Sequence, residues 1–274
     1  MRSLRIGVCL WLCLLLVDAQ AQGLGGLEGL NLLAGGTLQQ WVGADGTPVS
    51  SPKWQLQDGV LHLTAGGGGD LFYRNPVNDF QFAFEWKISP RGNSGVKYRV
   101  QKYGGSWLGC EYQIEDRGED SPLTNQSTGA LYAVYEPNRA GQPLPPGEWN
   151  RSTIRVVGNC IEHWLNGGLV VSANAGSLDW LQRVAASKFA PHPGWGQNRI
   201  GRLMLQDHGN EVWFRNLRLT NFAETGSVAC PIVASATCGN ANCELAPGQA
   251  SCEVHFHWVP PNRRRHGILL RRRR

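Results

Sequence analysis

Phe80-Gln81-Phe82-Ala83-Phe84-Glu85-Trp86-Lys87-Ile88 alternates without a break between large apolar side chains and smaller or charged ones. A period of two sends neighbouring side chains to opposite faces of a strand. A face made of Phe80, Phe82, Phe84, Trp86 and Ile88 has to be core. Pro90-Arg91-Gly92 ends the strand. The same period returns on both sides of it. Trp54 to Leu63 reads as a hairpin turning at Asp58-Gly59, and Asp70 to Tyr73 as a short strand that stops before Pro76. Asn93 to Val100 and Glu111 to Asp116 form a strand pair joined through Gly104-Gly105. A strand is expected over Gly129 to Tyr135. Trp149 to Val157, Cys160 to Leu165 and Leu169 to Ser172 follow, with turns at Gly158-Asn159 and Asn166-Gly167. Gly201 to Asp207 and Val212 to Leu219 close the series around His208-Gly209-Asn210. One helix fits: Ser177 as cap, Leu178, Leu181, Val184 and Ala185 at helical spacing, and Pro191 beyond its end. Many short strands with one late helix make an all-β chain, a two-sheet sandwich or jelly roll. Strand order does not follow from spacing.

The ends of the chain read differently. Arg2 and Arg5 precede an apolar run from Gly7 to Val17, too short to span a bilayer, and Ala19-Gln20-Ala21 fits a leader cleavage site. A signal peptide is therefore expected over 1–21, with the body secreted or periplasmic from Gln22. No later segment reaches transmembrane length. The body is expected over 22–222, and a Cys-rich, Arg-ended, largely irregular tail over 223–274. Of the formal net charge of +5, seven positive charges come from Arg263–Arg265 and Arg271–Arg274 and one net positive charge from the leader, which leaves the rest at −3. A mildly acidic body has no electrostatic footprint for nucleic acid. Eight cysteines in an exported chain favour disulfides, and the tail spacings match no paired CxxC zinc pattern. Their pairing is open, as is the oligomeric state.

One face of the alternating strands is chemically unusual. Lys97, Arg99 and Gln101 oppose Val96, Tyr98 and Val100. Glu111, Gln113 and Glu115 oppose Tyr112 and Ile114. Met204, Gln206 and His208 oppose Leu203 and Leu205. Amides beside Arg, Glu and His suit a polyol better than bulk water.

Taken in order, Trp54 through Leu61, Asp79 through Trp86, Asn93-Ser94-Gly95-Val96-Lys97-Tyr98-Arg99 and Glu111-Tyr112-Gln113-Ile114-Glu115-Asp116 carry a resemblance. Thr128-Gly129-Ala130-Leu131-Tyr132, Gly147-Glu148-Trp149-Asn150, Leu165-Asn166-Gly167, Ser187-Lys188-Phe189, Leu205-Gln206-Asp207-His208-Gly209 and Phe214-Arg215-Asn216 extend it. Over Leu30 to Asn221 the chain resembles the 3-keto-disaccharide hydrolase domain family, whose fold is a concanavalin-like, laminin-G-like jelly roll. The tail lies outside the pattern. The resemblance implies an oligosaccharide or glycoside substrate oxidised to a ketone at C3. The ketone acidifies the C2 proton; a base removes it, the glycosidic oxygen leaves from C1, and water adds to the product. That chemistry asks for a base near neutral pKa, an electrophile for the enolate and help for the leaving oxygen. Hydrolase and lyase outcomes both follow from it.

With the resemblance, Glu111, His208 and Asp116 are the catalytic candidates, and Arg99, Gln113, Gln206, Asn93, Tyr132 and Asp207 the substrate-binding ones. Family members are similar to metal-assisted enzymes, so one divalent metal ion is a possible cofactor, with Glu111 and His208 as its ligands. Each residue also has a plainer reading. Glu111 can be a surface carboxylate paired with Lys97 or Arg99. Arg99 can be a cross-strand partner of Glu111 or Glu115. Asp116 and Asn93 can serve their turns, and His208 the local backbone. A non-catalytic carbohydrate-binding module on the same sandwich is the alternative function. A family-16-like glycosidase fits less well: Glu111 and Glu115 lie about 13 Å apart along an extended strand, where retaining chemistry wants about 5 Å.

Overall fold

In a computed structural model of the chain, residues 29–118, 120–222 and 230 are described. The expected leader and nearly all of the tail lie outside them, and the compact unit that holds the described residues runs from Met1 to Ser235. Among the described residues thirteen strands follow one another: β1 (Leu30–Asn31), β2 (Trp41–Val42), β3 (Trp54–Gln57), β4 (Val60–Leu63), β5 (Leu71–Tyr73), β6 (Phe80–Ile88), β7 (Asn93–Tyr103), β8 (Ser106–Glu115), β9 (Asn150–Val157), β10 (Cys160–Leu165), β11 (Gly168–Asn174), β12 (Arg202–Leu205) and β13 (Val212–Asn221). The helix α1 (Leu178–Ala185) lies between β11 and β12. Among the described residues, no helix is long and apolar enough to cross a membrane.

The strands form two antiparallel sheets. One runs β11-β10-β9-β6-β13-β4-β3, with β1 added on β13; the other runs β2-β5-β12-β7-β8. The architecture is the expected jelly-roll sandwich. Phe80, Phe82, Phe84, Trp86 and Ile88 are all buried and meet Val96, Tyr98, Tyr112, Ile114 and Leu205 of the opposite sheet in a single core. Burial on this scale stabilises by about 25 cal/mol for each Å² of apolar surface removed from water. Two hairpins turn where their sequences require it. Asp58-Gly59 has φ of 50° and 76°, and Asn166-Gly167 has 46° and 89°. Both pairs are left-handed at both central positions, the geometry that matches strand twist.

A polar network crosses this core. Tyr98 Oη bonds Nε2 of His163 at 2.8 Å, and the other ring nitrogen faces the Gly129 carbonyl at 3.0 Å. Tyr112 Oη and Trp86 Nε1 both reach Ser152 Oγ at 2.8 Å. Complete burial holds the His163 imidazole down to about 4 and keeps it neutral.

Three local expectations change. Gly129 to Tyr135 is not a strand: it winds through turns, with isolated bridges from Leu131 to Tyr112 and to Tyr135. The helix forms with Ser177 as cap, its hydroxyl accepting from the Trp180 N–H at 3.2 Å. Its buried face is not the expected one, however. Leu178 is 72% and Leu181 46% exposed, while Trp180 is fully buried against Trp195. The third change is in β7. The ladder with β8 slips between Tyr98 and Gln101, where Arg99 takes φ of 52°. A bulge of one residue reverses the alternation. Arg99 turns inward, and Val100 joins Val42, Phe72 and Met204 in a small apolar cluster on the other side of the sheet. Gly201 makes the bulge possible, since a Cβ there would lie 2.5 Å from the Arg99 backbone.

Candidate active site

The outer face of the five-stranded sheet carries the polar row. Register places Phe72, Met204, Lys97 and Glu111 side by side across β5, β12, β7 and β8. Lys97 and Glu111 are direct cross-strand partners, with Nζ 3.7 Å from Oε2. Gln206 closes a triangle with them: its amide nitrogen donates to Glu111 Oε1 at 3.3 Å and its oxygen accepts from Lys97 Nζ at 3.2 Å. Gly95 is opposite Gln113 and leaves the space that the Glu111 carboxylate fills; a Cβ on it would stand 2.7 Å from Glu111 Oε1. Gln113 is buried, and its amide nitrogen donates to Asn93 Oδ1 at 3.4 Å. Its own Oε1 has no partner among the described residues. A buried acceptor without a partner costs about 1–3 kcal/mol.

A loop beyond α1 completes the cluster. Ser187 binds back to the Val184 carbonyl, and Phe189 stacks on Trp195 at 4.0 Å, which fixes Lys188 between them. Lys188 Nζ lies 4.1 Å over the Tyr132 ring. Tyr132 is itself tied to β8 by its N–H to the Glu111 carbonyl at 3.0 Å. Asp70, just before β5, accepts the Asp207 N–H at 2.9 Å.

These groups set each other's charge. Burial pushes the Glu111 carboxyl up; Lys97, Lys188 and His208 oppose that rise, and Asp70 adds to it. Burial also raises Asp70, against the Asp207 N–H, Lys97 and His208. Burial lowers Lys188, a shift that Glu111 opposes and Lys97 reinforces. Burial raises the Tyr132 phenol, with Glu111 and Glu115 adding to it. A carboxyl raised beside an ammonium that is lowered is the arrangement proton transfer near neutral pH requires.

Of the residues singled out in the sequence, Glu111, Gln113, Gln206, Asn93 and Tyr132 lie together here, and the exposed His208 is near enough for its ring to act on both Glu111 and Asp70. Three do not belong to the cluster. Arg99 is buried behind the sheet, its guanidinium donating to the carbonyls of Gly196 and Gly158. The bulge is the reason. Asp116 accepts the Arg91 and Gly118 N–H groups at 2.7 and 3.1 Å and caps its turn. The Asp207 carboxylate accepts from Gly69 and Gly209 at 2.9 and 3.0 Å, clasping the glycine loop against the turn after β12. Periodicity alone passed over Asp70, Lys97 and Lys188. Lys97 stood in the row as a mere solvating charge. Lys188 lay in the Ser187-Lys188-Phe189 match with no role attached, and no local pattern links it to Glu111.

A divalent ion at Glu111 and His208 does not fit the donors present. Among the described residues, no three His, Cys, Asp or Glu side chains converge on one point. The carboxylate that would anchor the ion already faces Lys97, and Lys188 adds a second positive charge. These ammonium groups would repel a dication.

Comparison with known proteins agrees with the fold and gives the family. Residues 30–220 match the family described as the 3-keto-alpha-glucoside-1,2-lyase-like domain. A 3-keto-disaccharide hydrolase of Bacteroides thetaiotaomicron is 30% identical over 226 residues, which cover 69% of this chain and 77% of that one. A solved structure from Parabacteroides distasonis, provisionally assigned as a glycosyl hydrolase, is 34% identical. It superposes with a TM-score of 0.63 over 70% of this chain and 93% of its own. A second structure from the same organism, with the same provisional assignment, shares the fold at 19% identity and a TM-score of 0.53, over 71% of this chain and all of its own.

Proposed function

Because the chain belongs to the 3-keto-alpha-glucoside-1,2-lyase-like domain family, we propose that it cleaves glycosides whose C3 hydroxyl has been oxidised to a ketone. The observation that carries this reading is the buried Glu111 carboxyl, raised by burial and set between Lys97 and Lys188.

The residues divide the work as follows. Glu111 takes the proton from C2. As that C–H bond breaks, charge moves onto the C3 oxygen, where the Lys97 and Lys188 ammonium groups lower its energy. The C1–O bond breaks as the C1=C2 double bond forms. His208, flanked by Asp70, gives a proton to the departing oxygen. Water added across C1 and C2 completes hydrolysis; release before that step gives the elimination product. Gln206 fixes the Glu111 and Lys97 side chains by binding both. Gln113 Oε1 accepts a sugar hydroxyl, and Tyr132 offers the edge of its ring to the substrate while its face holds Lys188. None of these steps needs the two-carboxylate geometry of ordinary glycosidases.

The test is direct. The purified chain is incubated with a 3-keto-disaccharide and with its unoxidised parent. Monosaccharide is expected from the first alone, and Glu111→Gln is expected to lower kcat by a factor of about 10² or more. Binding of either sugar without turnover, unchanged in Glu111→Gln and His208→Ala, would replace this reading with a non-catalytic carbohydrate-binding module.

A further inference from the structure

Cys160 opens β10, paired with Val157 of β9 and Asn174 of β11 at the outer side of the eight-stranded sheet. It is 1% exposed. Cys230 comes to the same spot. Its thiol donates to the Ala173 carbonyl at 3.5 Å, and Ala173 is the register partner of Ile161, the residue after Cys160. The Cys230 thiol therefore lies against β11 one residue from Asn174, the register partner of Cys160. Neither takes part in the glycoside site, which lies on the other sheet. Cys110 behaves differently: it is buried behind Arg99 on β8, beside Tyr98 and Gly196.

We propose that Cys160 and Cys230 are joined by a disulfide that fastens the C-terminal segment to the start of β10. The geometry favours this pair because a strand end fixes one sulfur and the Ala173 carbonyl steers the other toward it. A bond sets the two sulfurs about 2.05 Å apart, and Cys230 is the more exposed of the pair. The reaction is thiol–disulfide exchange with a disulfide donor, either a small-molecule disulfide or a thiol oxidoreductase. The Cys230 thiolate attacks one donor sulfur and expels the other as a thiol. Cys160 then gives up its proton and attacks the Cys230 sulfur of the mixed disulfide, expelling the second donor thiol. Two S–H bonds are lost and one S–S bond is made. The two electrons and two protons end in the donor, now two thiols. Cys230 is the entry point because Cys160 is buried, and burial pushes its thiol well above the ordinary range.

The experiment uses the full chain. The purified protein is equilibrated with oxidised glutathione, its remaining thiols are alkylated, and it is digested without reduction for mass mapping. The expected result is a Cys160–Cys230 cross-linked peptide that disappears on reduction, with Cys110 alkylated only after unfolding. Closing the loop over residues 161–229 is expected to raise Tm by about 5 °C or more over the reduced protein. Cys230→Ser should lose this increment and leave Cys160 as a free thiol, whereas Cys110→Ser should keep the cross-link. Alkylation of both Cys160 and Cys230 in the oxidised protein would overturn the proposal. So would a cross-link from Cys230 to Cys238, Cys243 or Cys252. The outcome is independent of whether the chain turns over a 3-keto-glycoside.

Discussion

Replacing Lys97 with Met tests the electrostatics of the site most sharply. Methionine keeps the stem that lies on the sheet and removes only the ammonium. In the native cluster that ammonium is 3.7 Å from Glu111 Oε2, with the two side chains only 15% and 8% exposed. At an effective permittivity of about 20, their attraction is on the order of 4 kcal/mol, which sets an upper bound of about 3 pKa units. Lys188 and His208 remain beside the carboxylate, so the expected rise in the Glu111 pKa on losing Lys97 is about 1–2 units. The direction follows from charge: burial has already raised this carboxyl, and Lys97 is the foremost group holding it down. A base acts only when ionised. The acid limb of kcat/KM against pH, measured with a 3-keto-disaccharide, should therefore move upward by that amount in Lys97→Met. The plateau should also fall if, as proposed, Lys97 stabilises the enolate oxygen. An acid limb that stays in place would refute Glu111 as the titrating base, however large the loss of rate.

Other predictions concern space, protons and metal. Gly95→Ala places a methyl group 2.7 Å from Glu111 Oε1 and 3.1 Å from its Cγ. If Glu111 is the base proposed above, the substitution should lower kcat about 10²-fold while the urea midpoint shifts far less than for a core truncation. His163 is held at about 4 against an ordinary 6.5, so the folded state binds fewer protons than the unfolded one. Its contribution to stability is complete above the unfolded value and fades as pH falls from about 6.5 toward 4, the loss reaching about 3 kcal/mol at the acid end. Urea unfolding across that window should show the loss, and it should be absent in His163→Gln if the imidazole causes it. Chelation should leave turnover within a factor of about two if Lys97 and Lys188 serve as the electrophile, as proposed; a tenfold loss restored by a divalent ion would contradict that assignment.

Most of the fold could be read without coordinates because its signals are local. The apolar face of Phe80 to Ile88 needs only a period of two, and Asp58-Gly59 and Asn166-Gly167 need only residues that tolerate positive φ. The cap on α1 needs only a serine hydroxyl three residues before an orphan N–H. The same local rules failed where a distant residue intervened. Leu178 and Leu181 had helical spacing, yet Trp180 is the buried residue because Trp195, far along the chain, stacks on it. Gly129 to Tyr135 has strand composition but bridges to Tyr112 while turning back on itself.

For the site, the sequence by itself determined the strands that carry Glu111, Gln113 and Gln206 and the face these residues share. It also determined that this face is too rich in amides and paired charge for ordinary solvent. Only the tertiary structure decided which residues meet there. Alternation placed Arg99 beside Lys97, but one inserted residue, accommodated by Gly201, turned the guanidinium into the protein and sent Val100 outward. Lys188 and Asp70 act on the Glu111 charge from a post-helix loop and from the residue before β5, placements that no spacing along the chain encodes. The physical reason is the same in each case. Side-chain period is a property of one strand, fixed by backbone geometry. Charge, burial and proton affinity belong to the space between strands, and only packing brings those groups within a few ångströms of one another.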